Sequence, residues 1–255
     1  MMLPPAFLGA PIAHRALHDR ALGRIENSLS AIQAAVQAGY GIEIDLQLSA
    51  DGQPMVFHDY VLNRLTAETG MINQRRAAEL QNIALTDGRG DCIPTFAQVL
   101  ACVAGQVPLL VELKDQDGNL GPAVGRLEQA TADALQGYRG DVAVMSFNPN
   151  SVRVFGGMAP HIPRGLTTCA FDPVDWAPVS KQRLRRLADI PDYQASGASF
   201  ISHEAADLRN PRVGQLQAQG AAILCWTIRS PAAEAEARKI AQNITFEGYC
   251  AEIPA

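Results

Sequence analysis

A closed (β/α)8 barrel is the fold class this sequence predicts, and three observations carry the prediction. Strand-like apolar runs recur eight times, helical patterns separate them, and no Pro-, Gly- or Ser-rich linker divides the 255 residues. Strand, helix, strand in repetition means parallel strands joined by right-handed crossovers, and eight such strands close a barrel. A doubly wound open sheet is the alternative arrangement of the same elements. We read residues 1–255 as one domain.

The strands, in order, are PIAHRA (11–16), GIEIDLQLS (41–49), VPLLVELK (107–114), DVAVMSF (141–147), PRGLTT (163–168), ASFISH (198–203), AAILCWTI (221–228) and NITFEGY (243–249). The first helix, NSLSAIQAAVQAG, has an Asn or Ser cap and closes on Gly39. The next, TFAQVLACVAG, opens on a capping box of Thr95 and Gln98 and ends at Gly105. VGRLEQATADALQGY, NSVRVFGGM, SKQRLRRLADI, RVGQLQAQG and SPAAEAEARKIAQ complete the alternation. After the second strand, the turn SADGQ predicts a hairpin through Asp51-Gly52 into a short extra strand, PMVFHD. Residues 60–93 carry no strong period, so the stretch from about 50 to 93 reads as a hairpin and insertion after the second barrel strand.

Composition excludes several classes. With 47% hydrophobic and 18% charged residues the chain is that of a globular protein. No apolar run approaches the roughly 18 residues of a membrane span. The N-terminus has no basic region and its apolar stretch is broken by prolines, so no signal peptide is read and a cytoplasmic location is the expectation. The five cysteines are scattered without C-x-x-C spacing, which argues against zinc or disulfides and for buried thiols. A net charge of -5 offers no general field for nucleic acid, and the one basic run, KQRLRRL, spreads its charges around a helix as a solvated face. Oligomeric state is left open.

The polar residues that interrupt the strands point to chemistry. Residues i and i+2 of a strand share a face, so Glu43 and Asp45 point together on a strand whose two faces should both be buried. Burying one unpaired carboxylate costs several kcal/mol, and two together cost more. A cation must compensate, either Arg or Lys, or a hard metal ion such as Mg²⁺ or Ca²⁺ that takes oxygen ligands. The pattern returns in VELK, where Glu112 and Lys114 share a face near the C-terminal end of their strand, the end at which barrel enzymes place their chemistry. Glu112 adds a third carboxylate, and Lys114 a local positive charge for an anion. His14-Arg15 at the end of the first strand and His58 at the end of the hairpin can reach the same mouth. Two histidines suit phosphodiester cleavage, one taking a proton and one giving it, and Arg15 fits phosphate oxygens bidentately. His18, His161 and His203 read as structural.

Read in order, HR at 14–15, ENS at 26–28, EID at 43–45, DG at 51–52, HD at 58–59, Arg64 with Thr66, IPTFAQVL at 93–100, ELK at 112–114 and WT at 226–227 resemble the glycerophosphodiester phosphodiesterase family over nearly the whole chain. The resemblance implies a TIM barrel, a divalent metal held by Glu43, Asp45 and Glu112, and acid-base work by His14 and His58. It implies hydrolysis of a small glycerophosphodiester to sn-glycerol 3-phosphate and an alcohol, with Trp226 near the glycerol or the leaving group. Three places depart from the family pattern: Ala16 where Gly usually follows His-Arg, Ile25 where Pro usually precedes Glu-Asn, and the ending NITFEGYCAEIPA. These departures bear on substrate choice. The rival readings are a barrel phosphodiesterase that releases a cyclic phosphate and a non-catalytic phosphodiester binder. Secreted members of the first kind should carry a signal peptide and paired cysteines, and the second should have lost at least one of the polar positions.

Overall fold

Eight parallel strands close on themselves because the first of them pairs with both the second and the last. In the computed structural model, which describes residues 2–254, these are β1 (Ile12–Ala13), β2 (Gly41–Leu48), β4 (Leu109–Leu113), β5 (Val142–Ser146), β6 (Arg164–Thr168), β7 (Phe200–Glu204), β8 (Ala222–Ile228) and β9 (Asn243–Phe246). A short β3 (Pro54–Val56) lies outside the ring, antiparallel to β2. Ile12 is in register with Gly41 of β2 and Thr245 of β9, which makes the sheet a closed TIM barrel rather than an open one.

The crossovers are α1 (Leu29–Ala38), α3 (Phe96–Val103), α4 (Arg126–Ala134), α5 (Pro149–Met158), α6 (Lys181–Ala188), α7 (Pro211–Ala218) and α8 (Pro231–Ala237), while α2 (Ala77–Leu80) belongs to the insertion. Ser28 caps α1 by accepting the Ala31 N–H, and Gly39 ends it in the left-handed conformation. Thr95 and Gln98 form the expected capping box of α3. One apolar layer, with Ile42, Ile44, Val111, Val144 and Ile223, lies between strands and helices. A second fills the barrel interior: Leu110, Ala143, Phe200 and Leu224 meet there, plugged from below by Leu3 and by Phe7 of a 3-10 helix at Pro5–Leu8. A Cβ on Gly165 would sit 2.4 Å from the Phe200 ring, so only glycine lets that ring fill the interior.

Strand ends depart from the sequence reading where the backbone turns to build the mouth. β1 stops at Ala13 instead of running to residue 16, because Arg15 and Ala16 adopt positive φ (51° and 66°) and the chain leaves the sheet. β3 stops at Val56, so His58 lies on the loop two residues beyond it. β9 stops at Phe246, two residues before the left-handed Gly248. The Asp51-Gly52 turn forms as expected, with Gly52 at φ 81° and its N–H on the Ser49 carbonyl. The insertion lacks period because it is made of turns, a 3-10 helix (Ile72–Gln74) and α2, held by its own cluster of Phe57, Leu62, Ile72, Leu80 and Ile93.

Of the thiols expected to be buried, Cys169 and Cys225 are; Cys92 and Cys102 are half-buried and Cys250 is exposed. The KQRLRRL helix buries only Leu184 and Leu187 and leaves Lys181, Arg185 and Arg186 to solvent, as the amphipathic pattern requires, while Arg183 is half-buried and donates to the Leu120 carbonyl. No helix of the described residues is long and apolar enough to cross a membrane.

Candidate active site

Strand register brings the three carboxylates together. β2 and β4 pair so that Asp45 lies opposite Glu112, and Glu43 follows Asp45 on the same face. One oxygen from each of Glu43, Asp45 and Glu112 lies within 4.8 Å of the other two, and none of the residues is more than 6% exposed. The Lys114 ammonium sits between two of them, 2.8 Å from Glu112 Oε1 and 3.1 Å from Asp45 Oδ1. The Asn27 amide donates to Asp45 Oδ2 (3.0 Å), and the Arg15 backbone N–H donates to Glu43 Oε2 (2.9 Å). The positive-φ turn after β1 is what aims that N–H inward.

Charge is not balanced within this set. Burial pushes Asp45 up, but Lys114, His58 and Arg15 together hold it well below the usual carboxylate range. Glu43 moves the other way: burial, then Asp45 and Glu112, raise it well above its ordinary value, with only Arg15 opposing. Arg15 is itself divided between Asp45 (3.6 Å) and Glu26 (2.8 Å). Three buried carboxylates served by one lysine and a shared arginine are short of positive charge. An oxygen-only donor set of this kind fits a hard divalent cation.

Each histidine is oriented by a carboxylate on its Nδ1. His14, just past β1, donates from Nδ1 to Glu247 Oε2 at 2.6 Å, which leaves Nε2 for the pocket. Glu247 is gripped from two further sides, by Arg229 Nε (2.8 Å) and by His18 Nε2 (3.5 Å). The hydrogen bond from His14 and the nearby His18 imidazole hold Glu247 well below the usual carboxylate range, whereas burial lowers His14 even though Glu247 pulls it upward. Burial thus favours the neutral imidazole of His14, and the Glu247 carboxylate favours the tautomer with its proton on Nδ1. On the opposite side of the mouth, His58 Nδ1 lies 2.7 Å from Asp59 Oδ1. Its backbone is anchored by the Gln47 side chain, which donates to the His58 carbonyl, and by the Phe57 N–H on the Asp45 carbonyl. Asp59 and Glu26 are bridged by Arg64, so one chain of polar contacts runs from His58 through Asp59, Arg64 and Glu26 to Arg15.

All eight residues singled out from the sequence, His14, Arg15, Glu43, Asp45, His58, Glu112, Lys114 and Trp226, line one pocket of about 50 Å³. It opens into a cavity of about 1130 Å³, with which it shares His58, Glu112, Lys114, Phe147 and Trp226. The Trp226 indole N–H donates to the Ser202 carbonyl at 2.9 Å. Sequence reasoning missed Glu247 and the part of His18 beside it. Glu26, Asn27, Asp59 and Arg64 stood in the motifs without a stated task. His203, read as structural, is buried and held by Thr168 and Asp207.

A closed barrel with two oriented imidazoles facing a buried cluster of carboxylates and cations is the architecture of a barrel phosphodiesterase. The family model described as the glycerophosphoryl diester phosphodiesterase family matches residues 14–245, and the chain belongs to that family. The chain is 31% identical over 150 residues to a glycerophosphodiester phosphodiesterase of Caldanaerobacter subterraneus subsp. tengcongensis, covering 55% of this chain and 60% of that one. The solved structure of an Oleispira antarctica phosphodiesterase, in complex with its product sn-glycerol-3-phosphate, shares the fold with a TM-score of 0.76 at 24% identity, over 95% of this chain and 94% of that one. The glycerophosphodiester phosphodiesterase of Agrobacterium tumefaciens str. C58 shares it with a TM-score of 0.69 at 22% identity, over 93% and 96%.

Proposed function

We propose that this chain hydrolyses glycerophosphodiesters to sn-glycerol 3-phosphate and an alcohol, with a divalent cation held by Glu43, Asp45 and Glu112. The observation that carries this reading is the convergence of those three buried carboxylates with too few cations to neutralise them, between two histidines whose rings are each fixed by a carboxylate. When bound, such a cation supplies Lewis-acid polarisation of phosphate oxygens. Mg²⁺ and Ca²⁺ both suit the all-oxygen donor set.

The side chains around it divide the remaining work. Lys114 and Arg15 bring positive charge to the phosphate oxygens, which an acidic protein cannot attract through its net charge. His14, with Nδ1 held by Glu247 and Nε2 toward the pocket, takes a proton from the attacking water as its oxygen forms the new P–O bond. His58 gives a proton to the departing alcohol oxygen as the old P–O bond breaks. Trp226 stands beside that leaving group, at the junction of the small pocket and the large cavity.

The test is a product assay of the purified protein on glycerophosphocholine, glycerophosphoethanolamine, glycerophosphoglycerol and glycerophosphoinositol, followed by ³¹P NMR with and without EDTA. Glycerol 3-phosphate should form and chelation should stop it, with Mg²⁺ or Ca²⁺ restoring turnover. A cyclic phosphate as the end product would overturn the hydrolysis, and full turnover after exhaustive chelation would overturn the metal.

A further inference from the structure

The large cavity beside the catalytic pocket has a composition that the hydrolysis itself does not require. One wall is aromatic: Phe147 packs on Trp226 and on Trp176 with ring centroids 5.5 and 4.8 Å away, and Phe171 packs on Trp176 at 5.0 Å. Phe147, Trp176 and Trp226 are only half-buried, so part of each ring faces the cavity. Glu204, at the end of β7, is the register partner of Trp226 on β8, which sets its carboxylate beside the indole on the same rim. Asp172 and Asp175 line the loop that carries Phe171 and Trp176.

The charges on this cavity are one-sided. Lys114 is the only lysine or arginine lining it among the described residues, and it lies at the catalytic end, against Glu112 and Asp45. Glu204, Asp172 and Asp175 have no ion-pair partner among the described residues. Aromatic faces attract a cation through their quadrupole, and a nearby carboxylate supplies the countercharge that a partly desolvated cation needs. Resting on the reading above, we propose that Phe147, Phe171, Trp176 and Trp226 with Glu204 form the leaving-group subsite, and that it selects alcohols bearing an ammonium or trimethylammonium group. The same arrangement orients the substrate, because the phosphate is drawn to Lys114 and Arg15 and repelled by the acidic wall, while the cationic end is drawn the opposite way. At about 1130 Å³ the cavity is too wide to sort small alcohols by size, so charge does the sorting.

The experiment compares kcat/KM for glycerophosphocholine, for its carbon isostere the 3,3-dimethylbutyl ester of glycerol phosphate, and for glycerophosphoinositol. The choline ester should exceed the isostere about tenfold, the scale of one desolvated cation–π contact with its countercharge. Glu204→Gln should bring that ratio close to one, and Trp176→Leu, on an exposed loop, should lower it independently should the first variant fail to fold. An isostere cleaved as well as or better than the choline ester would overturn the cationic subsite and mark the wall as merely apolar. A ratio unchanged in both folded variants would overturn the assignment of these residues. Failure of all three esters to turn over would instead overturn the phosphodiesterase reading on which the subsite rests.

Discussion

Arg64 holds both oxygens of Glu26, at 2.8 and 2.7 Å, and with the same guanidinium reaches both oxygens of Asp59, at 2.6 and 3.0 Å. It thereby ties the loop that carries His58 to the segment that carries Arg15, although it lies against neither the substrate pocket nor the carboxylate cluster. Lysine keeps the charge but cannot make two forked contacts. Arg64→Lys should therefore lower kcat/KM by about tenfold, as expected when catalytic groups lose their positioning. Its side chain is 45% exposed, so Tm should change little. A variant with full activity would show that the two loops hold their places without the bridge.

Glu43→Gln keeps the shape of the side chain and removes one charge from the carboxylate cluster. Burial and the neighbouring Asp45 and Glu112 already raise this carboxyl, so the amide should be tolerated or even favoured by the metal-free fold. Titration calorimetry with Mg²⁺ or Ca²⁺ should show affinity reduced by tenfold or more, on the order of 1.4 kcal/mol, while thermal stability without metal holds or rises. Unaltered metal affinity would remove Glu43 from the donor set.

Because burial outweighs the Glu247 hydrogen bond, the folded His14 titrates below its ordinary value of 6.5. The acid limb of kcat/KM should accordingly lie below pH 6.5, with the base fully competent at neutrality. Glu247→Gln removes an interaction that raises His14, so the limb should move to lower pH, and the plateau should fall about a hundredfold as support for the forming imidazolium is lost. A limb that moves upward would contradict the pairing.

His58 is best tested through the leaving group. As the acid, it is needed by choline or ethanolamine, whose alkoxides are poor leaving groups, and hardly by p-nitrophenolate. His58→Ala should nearly abolish turnover of the first two and lose far less on the p-nitrophenyl ester of glycerol phosphate. Equal losses on both would exchange its role with that of His14.

His203 makes a separate prediction about stability. It is fully buried, its Nδ1 lies 2.8 Å from the Thr168 hydroxyl and its Nε2 faces Asp207; burial lowers its pKa below 6.5 despite that carboxylate. The unfolded chain then binds a proton that the folded chain refuses, so this contribution is complete above pH 6.5 and is lost as the pH falls through that value toward the lowered one. Melting curves between pH 8 and 5 should show the decline, and His203→Gln should flatten it relative to wild type.

Much of the site was legible because strand geometry alone sets which residues share a face. Glu43 with Asp45, and Glu112 with Lys114, are i, i+2 pairs, and burial of such pairs demands a function. What the pattern could not give was register: that Asp45 stands opposite Glu112 follows from pairing across more than sixty residues. Glu247 went unread because FEGY looks like the tail of a strand, whereas the backbone leaves the sheet at Phe246 and turns its carboxylate toward His14. Arg64 could be noticed as a residue, but its bridge to Glu26 joins segments 38 positions apart and depends on how the insertion folds back. The strands bearing His14 and Glu247 were read too long for the same reason, since the last residues of those runs serve the mouth rather than the ladder, whereas the strands ending at Thr168 and Ile228 end where the pattern put them.

The two-residue strand β1 has a consequence for synthesis of the protein. Its pairing with β9 joins Ile12 to Thr245 and Ala13 to Phe246, so the ring shuts only once β9 has been made. His14 rides directly on that seam, and the carboxylate that orients it, Glu247, follows β9 by one residue. A nascent chain on the ribosome can carry every carboxylate of the cluster and still have no working base. A chain cut before Glu247 should accordingly be inactive, whatever else of the barrel it retains.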